Sequence, residues 1–199
     1  YDLPRLTVGA FGSLGVIVSV CLKLWPAPPN RATVTVSSIE EALEVVRPLA
    51  VLEDNDSTRV YVWGTAEEIS AKVAKLGGEG VTGHHWPSDP DGDYRWSLRV
   101  PPAMTGRAVD ALPDGWTYLA IHGVGDIRAA SPNAAGAVEL REWAESVGGH
   151  LVVVASPEGS ETGLDPWGKP PPAMDIQRRL IAQFDPARII NPGRLPGGL

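Results

Sequence analysis

Two short stretches near the ends of the chain carry residue types suited to gripping a polar ligand. In "GAFGSLGVIV", residues 9–18, the glycines let backbone amides come close to groups that side chains would block. Gly12, Ser13, Gly15 and Val16 would form that approach, with Val16 and Ile17 at the head of a strand. A tight turn before a core strand would have the same composition. In "FDPARIINPGR", residues 184–194, Asn191 offers both an acceptor and donors, and Arg194 is a fixed cation able to meet a phosphate or a carbonyl edge. Pro192 and Gly193 impose a bend that could aim both side chains inward, or simply end an element.

Between these stretches the chemistry is sparser. Arg95 and Arg99 in "YRWSLRV" share one face of a strand with Ser97, opposite Trp96 and Leu98, so one of the arginines could hold a carboxylate. A row of solvent-facing arginines on an antiparallel strand has the same pattern. His122 closes the strand "WTYLAIH" and is the best-placed candidate base, although a strand-end histidine also serves purely structural roles. His84 and His85 are adjacent in a loop without a carboxylate or thiol at ligand spacing, so no metal site is expected. Cys21, the single cysteine, reads as an inert buried thiol and excludes an internal disulfide. No Ser-His-Asp order, phosphate-binding loop or metalloprotease motif is present.

The elements that must position these residues follow from periodicity. Val16, Val18, Val20, Leu22 and Leu24 alternate as a strand, and Ile17 and Cys21 make its second face partly apolar, which predicts burial on both sides. "WPAPPN" then reads as a linker. "RATVTVSS" predicts a strand, and Ser38 with Glu41 has the spacing of a capping box ahead of a helix face of Ile39, Ala42, Leu43 and Val46. The rhythm recurs: "STRVYVW" is a strand, Thr65 with Glu68 can cap a helix lined by Ile69, Val73 and Leu76, and Gly77 and Gly78 end it. Two strand-helix units in a row make an α/β or α+β layer.

"GVTGHHWPSDPDGDY" reads as a loop, and "YRWSLRV" and "WTYLAIHGV" as strands. A helix face at Val138, Trp143 and Val147 stops at Gly148 and Gly149, and "HLVVVAS" is a further strand. "PEGSETGLDPWGKPPP" is a long loop of the kind that is functional or mobile, and a last helix spans 173–184. No close internal repeat is visible beyond the strand-helix rhythm.

Composition bounds the partners. With 199 residues, 43% of them apolar and 21% charged, the chain has the makings of a folded core. Its 22 glycines and 19 prolines predict many turns. A formal charge of -7 argues against nucleic acid or an anionic membrane as partner. No apolar run approaches the ~20 residues of a membrane span. The lone cysteine fits a reducing compartment, and the start at Tyr1 reads as a sequence entered midway.

The two terminal motifs together carry a resemblance. "DLPRLTVGAFGSLGVIVSVCLKLWPAP" resembles the close of the FAD-binding domain in the vanillyl-alcohol-oxidase superfamily, and "FDPARIINPGR" resembles that superfamily's terminal motif. "RWSLRVPPA" and "ESVGGHLVVV" are most similar to the FAD-binding subunits of bacterial glycolate oxidases. The resemblance implies an α+β fold: the end of a PCMH-type FAD-binding domain over 1–26, a cap domain of mostly antiparallel sheet with flanking helices over 31–156, and a helix and tail, 173–199, returning to the first domain. It implies FAD as cofactor, held by Gly12, Ser13, Gly15, Val16, Ile17, Asn191 and Arg194, and a small 2-hydroxy acid as substrate, with Arg95 or Arg99 for its carboxylate and His122 as base.

The resemblance also implies an incomplete flavin site. The superfamily's glycine-rich pyrophosphate loop belongs to the first half of the flavin domain, so this chain alone should hold FAD poorly, and the missing half or other subunits of an oxidase complex are the expected partners. The implied location is cytoplasmic, with partner subunits bringing the complex to the membrane periphery. A non-enzymatic α/β binding or assembly module with vestigial flavin motifs is the other reading.

Overall fold

The computed structural model describes residues 2–45, 48–160 and 162–199, so Val46 of the first helix face lies outside the described residues. In chain order the elements are α1 (Leu3–Thr7), β1 (Asn30–Val36), α2 (Ile39–Leu43), β2 (Ala50–Asp54), β3 (Thr58–Gly64), α3 (Ala66–Leu76), β4 (Gly80–Thr82), β5 (Tyr94–Arg99), α4 (Thr105–Asp110), β6 (Thr117–His122), β7 (Asp126–Ser131), α5 (Ala137–Ser146), β8 (His150–Ala155) and α6 (Met174–Phe184). They fall into two compact units, one of Pro26–Pro166 and one of Tyr1–Trp25 with Trp167–Leu199.

The larger unit is an eight-stranded antiparallel sheet in the order β4-β1-β3-β2-β6-β7-β5-β8. Its topology is a repeat that the sequence conceals. Residues 30–82 run βαββαβ, residues 94–155 run βαββαβ again, and each half orders its strands 4-1-3-2 counted from its own start. The halves join through their second strands, β2 and β6, where Val51 faces His122 and Leu52 faces Ile121. Each half is a split βαβ unit too small to bury much apolar surface, and joining them makes one continuous sheet.

Alternation in the strands builds one helix-covered face. Val34, Val51, Val60 and Val62 pack under α2 and α3, with Leu76, Ile69 and Val73 from the helix. Trp96, Leu98, Ile127 and Leu151 pack under α4 and α5 against Ala108, Leu140 and Ala144. The caps follow their sequence signals unevenly. Thr65 and Glu68 form a complete capping box and Gly77 closes α3 in the left-handed conformation. Ser38 accepts from the Glu41 amide but its hydroxyl donates to Glu40, so α2 has half a box and only one full turn. In α5 the buried residues are Ala137, Leu140, Arg141 and Ala144, while Val138 is exposed and Trp143 and Val147 sit at the flank. The apolar face therefore lies one position round from the one the larger side chains suggested.

The opposite face is crossed by a strap, residues 83–93, which includes both loop histidines. His85 N–H donates to Thr33 Oγ1, the Tyr61 hydroxyl donates to the His85 carbonyl at 2.7 Å, and Trp86 stacks on Tyr61 at 4.2 Å with 8° between the rings. Tyr61, Leu52 and Leu119 are thereby buried on a face that would otherwise meet water. His84 and His85 each place a ring nitrogen on a backbone carbonyl, of Val62 and Thr82. Before the strap, Gly80–Thr82 adds a short edge strand where the sequence suggested only loop.

The β2–β3 hairpin is locked by one carboxylate. Asp54 Oδ1 accepts from the amides of Asp56 and Ser57, and Oδ2 accepts from Arg59. Burial alone would raise this carboxyl, but the hydrogen bonds from Arg59 and the two amides outweigh it and hold it below the ordinary range. A depressed carboxylate contributes stability above the unfolded value of about 4 and loses it as pH falls through the folded one. Asp54→Asn should therefore cost roughly 1–2 kcal/mol at neutral pH, and the gap from wild type should close as urea unfolding is repeated from about pH 5 down to 3.

In the smaller unit, α6 packs Met174 and Ile181 against Leu199, Leu14 and Leu195. The strand expected over Val16–Leu24 is not formed. Residues 15–29 have no assigned secondary structure, and Val18, 92% exposed, and Trp25, 88% exposed, typify the stretch. Cys21 is exposed with them rather than buried. Alternation marks residues that fit a sheet, but a strand exists only in a ladder, and among the described residues nothing pairs with this one.

Candidate functional site

The terminal motifs meet inside the smaller unit. After α1, the segment turns through Gly9, Phe11 and Gly12, all at positive φ, with Ser13 N–H and Oγ–H both donating to the Ala10 carbonyl. The tail is shaped by buried Asp185, whose two carboxylate oxygens accept from the amides of Ile189 and Ile190. Asn191, at φ 50°, then donates from Nδ2 to the Phe11 carbonyl at 2.5 Å, across 180 sequence positions. Asparagine is one of the few residues that adopts this backbone conformation at modest cost.

Asn191 also lines a groove of about 640 Å³ together with Gly12, Gly15, Val16, Ile17 and Ile190, among others. Five residues singled out from the sequence, Gly12, Gly15, Val16, Ile17 and Asn191, are thus together. Ser13 is not with them: it is buried and its hydroxyl is committed to Ala10. Arg194 is exposed and stands outside the groove lining. The N–H groups of Gly12, Leu14, Gly15 and Val16 find no acceptor among the described residues. A flavin dinucleotide is rich in acceptor oxygens, so open backbone donors beside an asparagine amide fit it.

The three catalytic candidates do not share a site, because the sheet separates them. Register places Arg95, Ser97 and Arg99 of β5 on the strap side with Arg128 and Asp126 of β7, and places Trp96 and Leu98 in the core as alternation predicted. His122 lies on the helix side, its side chain 3% exposed, with Nε2 2.7 Å from Glu53 Oε2. Tyr118 donates to the other oxygen of Glu53, and burial, then the Glu53 charge, pushes the Tyr118 phenol up. These three form a polar seam between the two apolar clusters of the helix face. His122 thus meets Glu53 through Nε2, on the face of the sheet opposite the two arginines.

On the strap side, Arg95, Ser97, Arg99, Asp126, Arg128 and Asp89 line a cleft of about 270 Å³. Arg128 pairs with Asp89 at 2.6 Å, and Arg99 with Asp126 at 3.5 Å. Arg95 makes no ion pair among the described residues, so three guanidinium groups face two carboxylates and one cation is uncompensated. His150, one strand over, is held below its usual value by burial and then by the Arg99 charge, consistent with a positive field on this side. Arg128, Asp126 and Asp89 went unnoticed in the sequence. The glycine-containing turn "HGVGD" ahead of "IRAAS" is the hairpin signal that could have found the first two.

An α+β chain whose antiparallel sheet unit is inserted between the two segments of a smaller unit, with its terminal motifs closed on each other, is of the kind that the resemblance to glycolate oxidase subunits implies. Comparison bears that resemblance out. The chain is similar to the glycolate oxidase subunit GlcE of Escherichia coli (strain K12), 27% identical over 216 aligned positions that take in 98% of this chain and 57% of that protein. The chain thus spans little more than half the length of the curated relative it matches. No protein-family model matches it.

Proposed function

We propose that the chain is the C-terminal portion of a FAD-dependent oxidoreductase subunit acting on a small 2-hydroxy acid of the glycolate type. The observation that carries this reading is the hydrogen bond from Asn191 to the Phe11 carbonyl, which brings the two terminal motifs into one groove. Gly12, Gly15 and Val16 would hold the cofactor through backbone donors and Asn191 would orient it, while Arg194 is free to reach a phosphate from the surface. When bound, FAD would supply the hydride acceptor. Arg95 is the residue for the substrate carboxylate, since Arg99 and Arg128 are already neutralised by Asp126 and Asp89. His122 positions the β2–β6 junction through Glu53 rather than acting as base.

The smaller unit also calls for a companion. Of the exposed large apolar residues, those from Leu3 to Trp25 and from Ile176 to Ile189 belong to this unit, although it is much the shorter of the two. An extended stretch apolar on both faces, as Val16–Leu24 is, matches a central strand covered by further polypeptide. The companion is another subunit of an oxidase complex or the first half of the flavin domain, and the name of the relative, a subunit, agrees with this.

The test is steady-state kinetics of the assembled, flavin-loaded protein with glycolate. Arg95→Met should raise KM by roughly 10- to 100-fold, the worth of one charge-assisted hydrogen bond pair, with a smaller change in kcat. Arg107→Met, at an exposed position of α4 outside the cleft lining, should leave KM within about twofold. An unchanged KM for Arg95→Met would reject the cleft as the substrate site and favour an assembly role for the sheet.

A further inference from the structure

The two halves of the sheet unit end differently. Counted from the start of each helix, Ala66, Ile69, Ser70 and Val73 of α3 stand where Ala137, Leu140, Arg141 and Ala144 stand in α5. The pair Ala32–Thr82 of β1 and β4 likewise answers to the pair Trp96–Val153 of β5 and β8. Gly78 and Gly149 follow the two helices at one place, each so near a strand carbonyl, of Thr35 or of Arg99, that a Cβ would strike it. In the second half this corner is covered by a segment without regular secondary structure, residues 164–166. Leu164 packs on the cluster beneath α5, Val153 N–H donates to the Pro166 carbonyl at 2.8 Å, and Arg141 Nη1 donates to the Asp165 carbonyl at 2.6 Å. Ala137, Leu140, Arg141 and Ala144 are all buried.

In the first half the corner is open. Ala32, Ala66, Ile69, Ser70, Val73 and Thr82 are among the residues lining a groove of about 700 Å³, with Ala66 and Ser70 exposed and Ile69 and Val73 half-buried. Gly83 N–H donates to the Arg31 carbonyl, so register turns Thr82 N–H away from β1, as it turns Val153 N–H away from β5. The Thr82 amide finds no acceptor among the described residues. An aliphatic recess beside an open strand amide is a setting in which a peptide segment docks on a sheet edge. Arg31, the one charged residue of the lining, makes no ion pair among the described residues, so it favours an acidic neighbour. A second copy is a poor occupant, because β4 has three residues and two such edges make too short a ladder. We propose that this groove docks a segment of a partner polypeptide in which a leucine is followed by an acidic residue. The leucine lies between α3 and the sheet as Leu164 does in the other half, the acid faces Arg31, and a backbone carbonyl accepts from Thr82 N–H. The site belongs to the larger unit and does not rest on the flavin reading.

The experiment is an NMR titration of the 199-residue chain with the peptide acetyl-TGLDPWG-amide, a copy of residues 162–168. Saturable shifts of the Thr82 and Gly83 amides and the Ile69 methyls are expected, with a Kd on the order of 1 mM for one anchored side chain. Signals of Leu151 and Val153 should not move, because the chain's own segment fills that corner. Replacing the peptide's leucine by alanine should weaken binding about tenfold or more, and replacing its aspartate by asparagine about twofold. Ser70→Trp, at an exposed position, fills the groove and should abolish binding. Thr82→Pro, tolerated at a sheet edge, removes the amide and should weaken binding about fivefold. No saturable binding, equal binding of the alanine peptide, or undiminished binding by Ser70→Trp overturns the proposal. Shifts of the same signals on concentrating the chain alone would make the occupant a second copy, and failure of the peptide to bind the complete protein would make it the rest of the same polypeptide; either result also overturns it. Flavin retention by Ser70→Trp should equal wild type, so loss of this site and failure of the flavin reading are told apart.

Discussion

Replacing Trp96 with alanine should destabilise the sheet unit by about 3–5 kcal/mol, enough to leave much of it unfolded at 37 °C in a domain of ordinary stability. Trp96 is 1% exposed at the centre of the larger cluster, with its ring stacked 5.0 Å from Trp116 and 6.0 Å from Tyr94. Its loss removes a large apolar area and leaves a cavity that β5, paired on both sides by β7 and β8, cannot collapse to fill. A second effect is polar. Trp96 Nε1 donates to Ser131 Oγ at 2.9 Å, and that hydroxyl donates in turn to the Asn133 carbonyl at 2.6 Å, tying β5 through β7 to the entry of α5. Trp96→Phe keeps most of the ring but drops the donor, so it should cost less, roughly 1–2 kcal/mol. Urea unfolding followed by far-UV circular dichroism measures both. Trp63, 43% exposed on the strap side of β3, is the control, and its alanine variant should stay within about 1 kcal/mol of wild type. A Trp96→Ala cost no larger than that of Trp63→Ala would mean that the cluster is not the core.

What could be read from the sequence follows what each signal measures. Alternation reports a face, so the strands with one wet side, such as β5 with Trp96 and Leu98 inward and Arg95 and Arg99 outward, were legible. The strand β2 was not, because Val51 is buried under helices and Leu52 under the strap, leaving no polar side to mark the period. In β7 the small residues Ala129 and Ala130 face opposite ways and hide the alternation just as well. Val16–Leu24 shows the reverse error: its pattern is that of a strand, yet pairing is a property of two segments, and the second is not among the described residues. The repeat escaped notice because it is conserved in topology and not in side chains. Glu53, 69 positions from His122, could not be foreseen as the partner of its Nε2, because the pairing exists only once β2 and β6 lie side by side.

If the proposed function holds, Asn191→Ala in the flavin-loaded protein should weaken FAD retention by roughly one to two orders of magnitude, and the reason combines a conformation with a contact. Asn191 sits at φ 50°, where asparagine is tolerated and alanine costs on the order of 1 kcal/mol. Its amide is also the tie from the tail to the Phe11 carbonyl, so truncation frees both walls of the groove to drift and leaves that carbonyl without its donor. The two causes separate in a pair of variants. Glycine restores the backbone conformation and still lacks the amide, while aspartate keeps the size and shape but turns an acceptor toward a carbonyl. If the amide matters most, Asn191→Gly should lose nearly as much cofactor as alanine, and Asn191→Asp should lose more than glycine despite its closer size. If the backbone matters most, glycine should recover wild-type retention. Gel filtration of the loaded protein, with released flavin read by fluorescence, ranks the three. The urea midpoint of the sheet unit should not move in any of them, because Asn191 belongs to the other unit. Retention at the wild-type level in all three variants would show that the closed terminal motifs do not hold flavin, and the groove beneath Val16 would need another ligand.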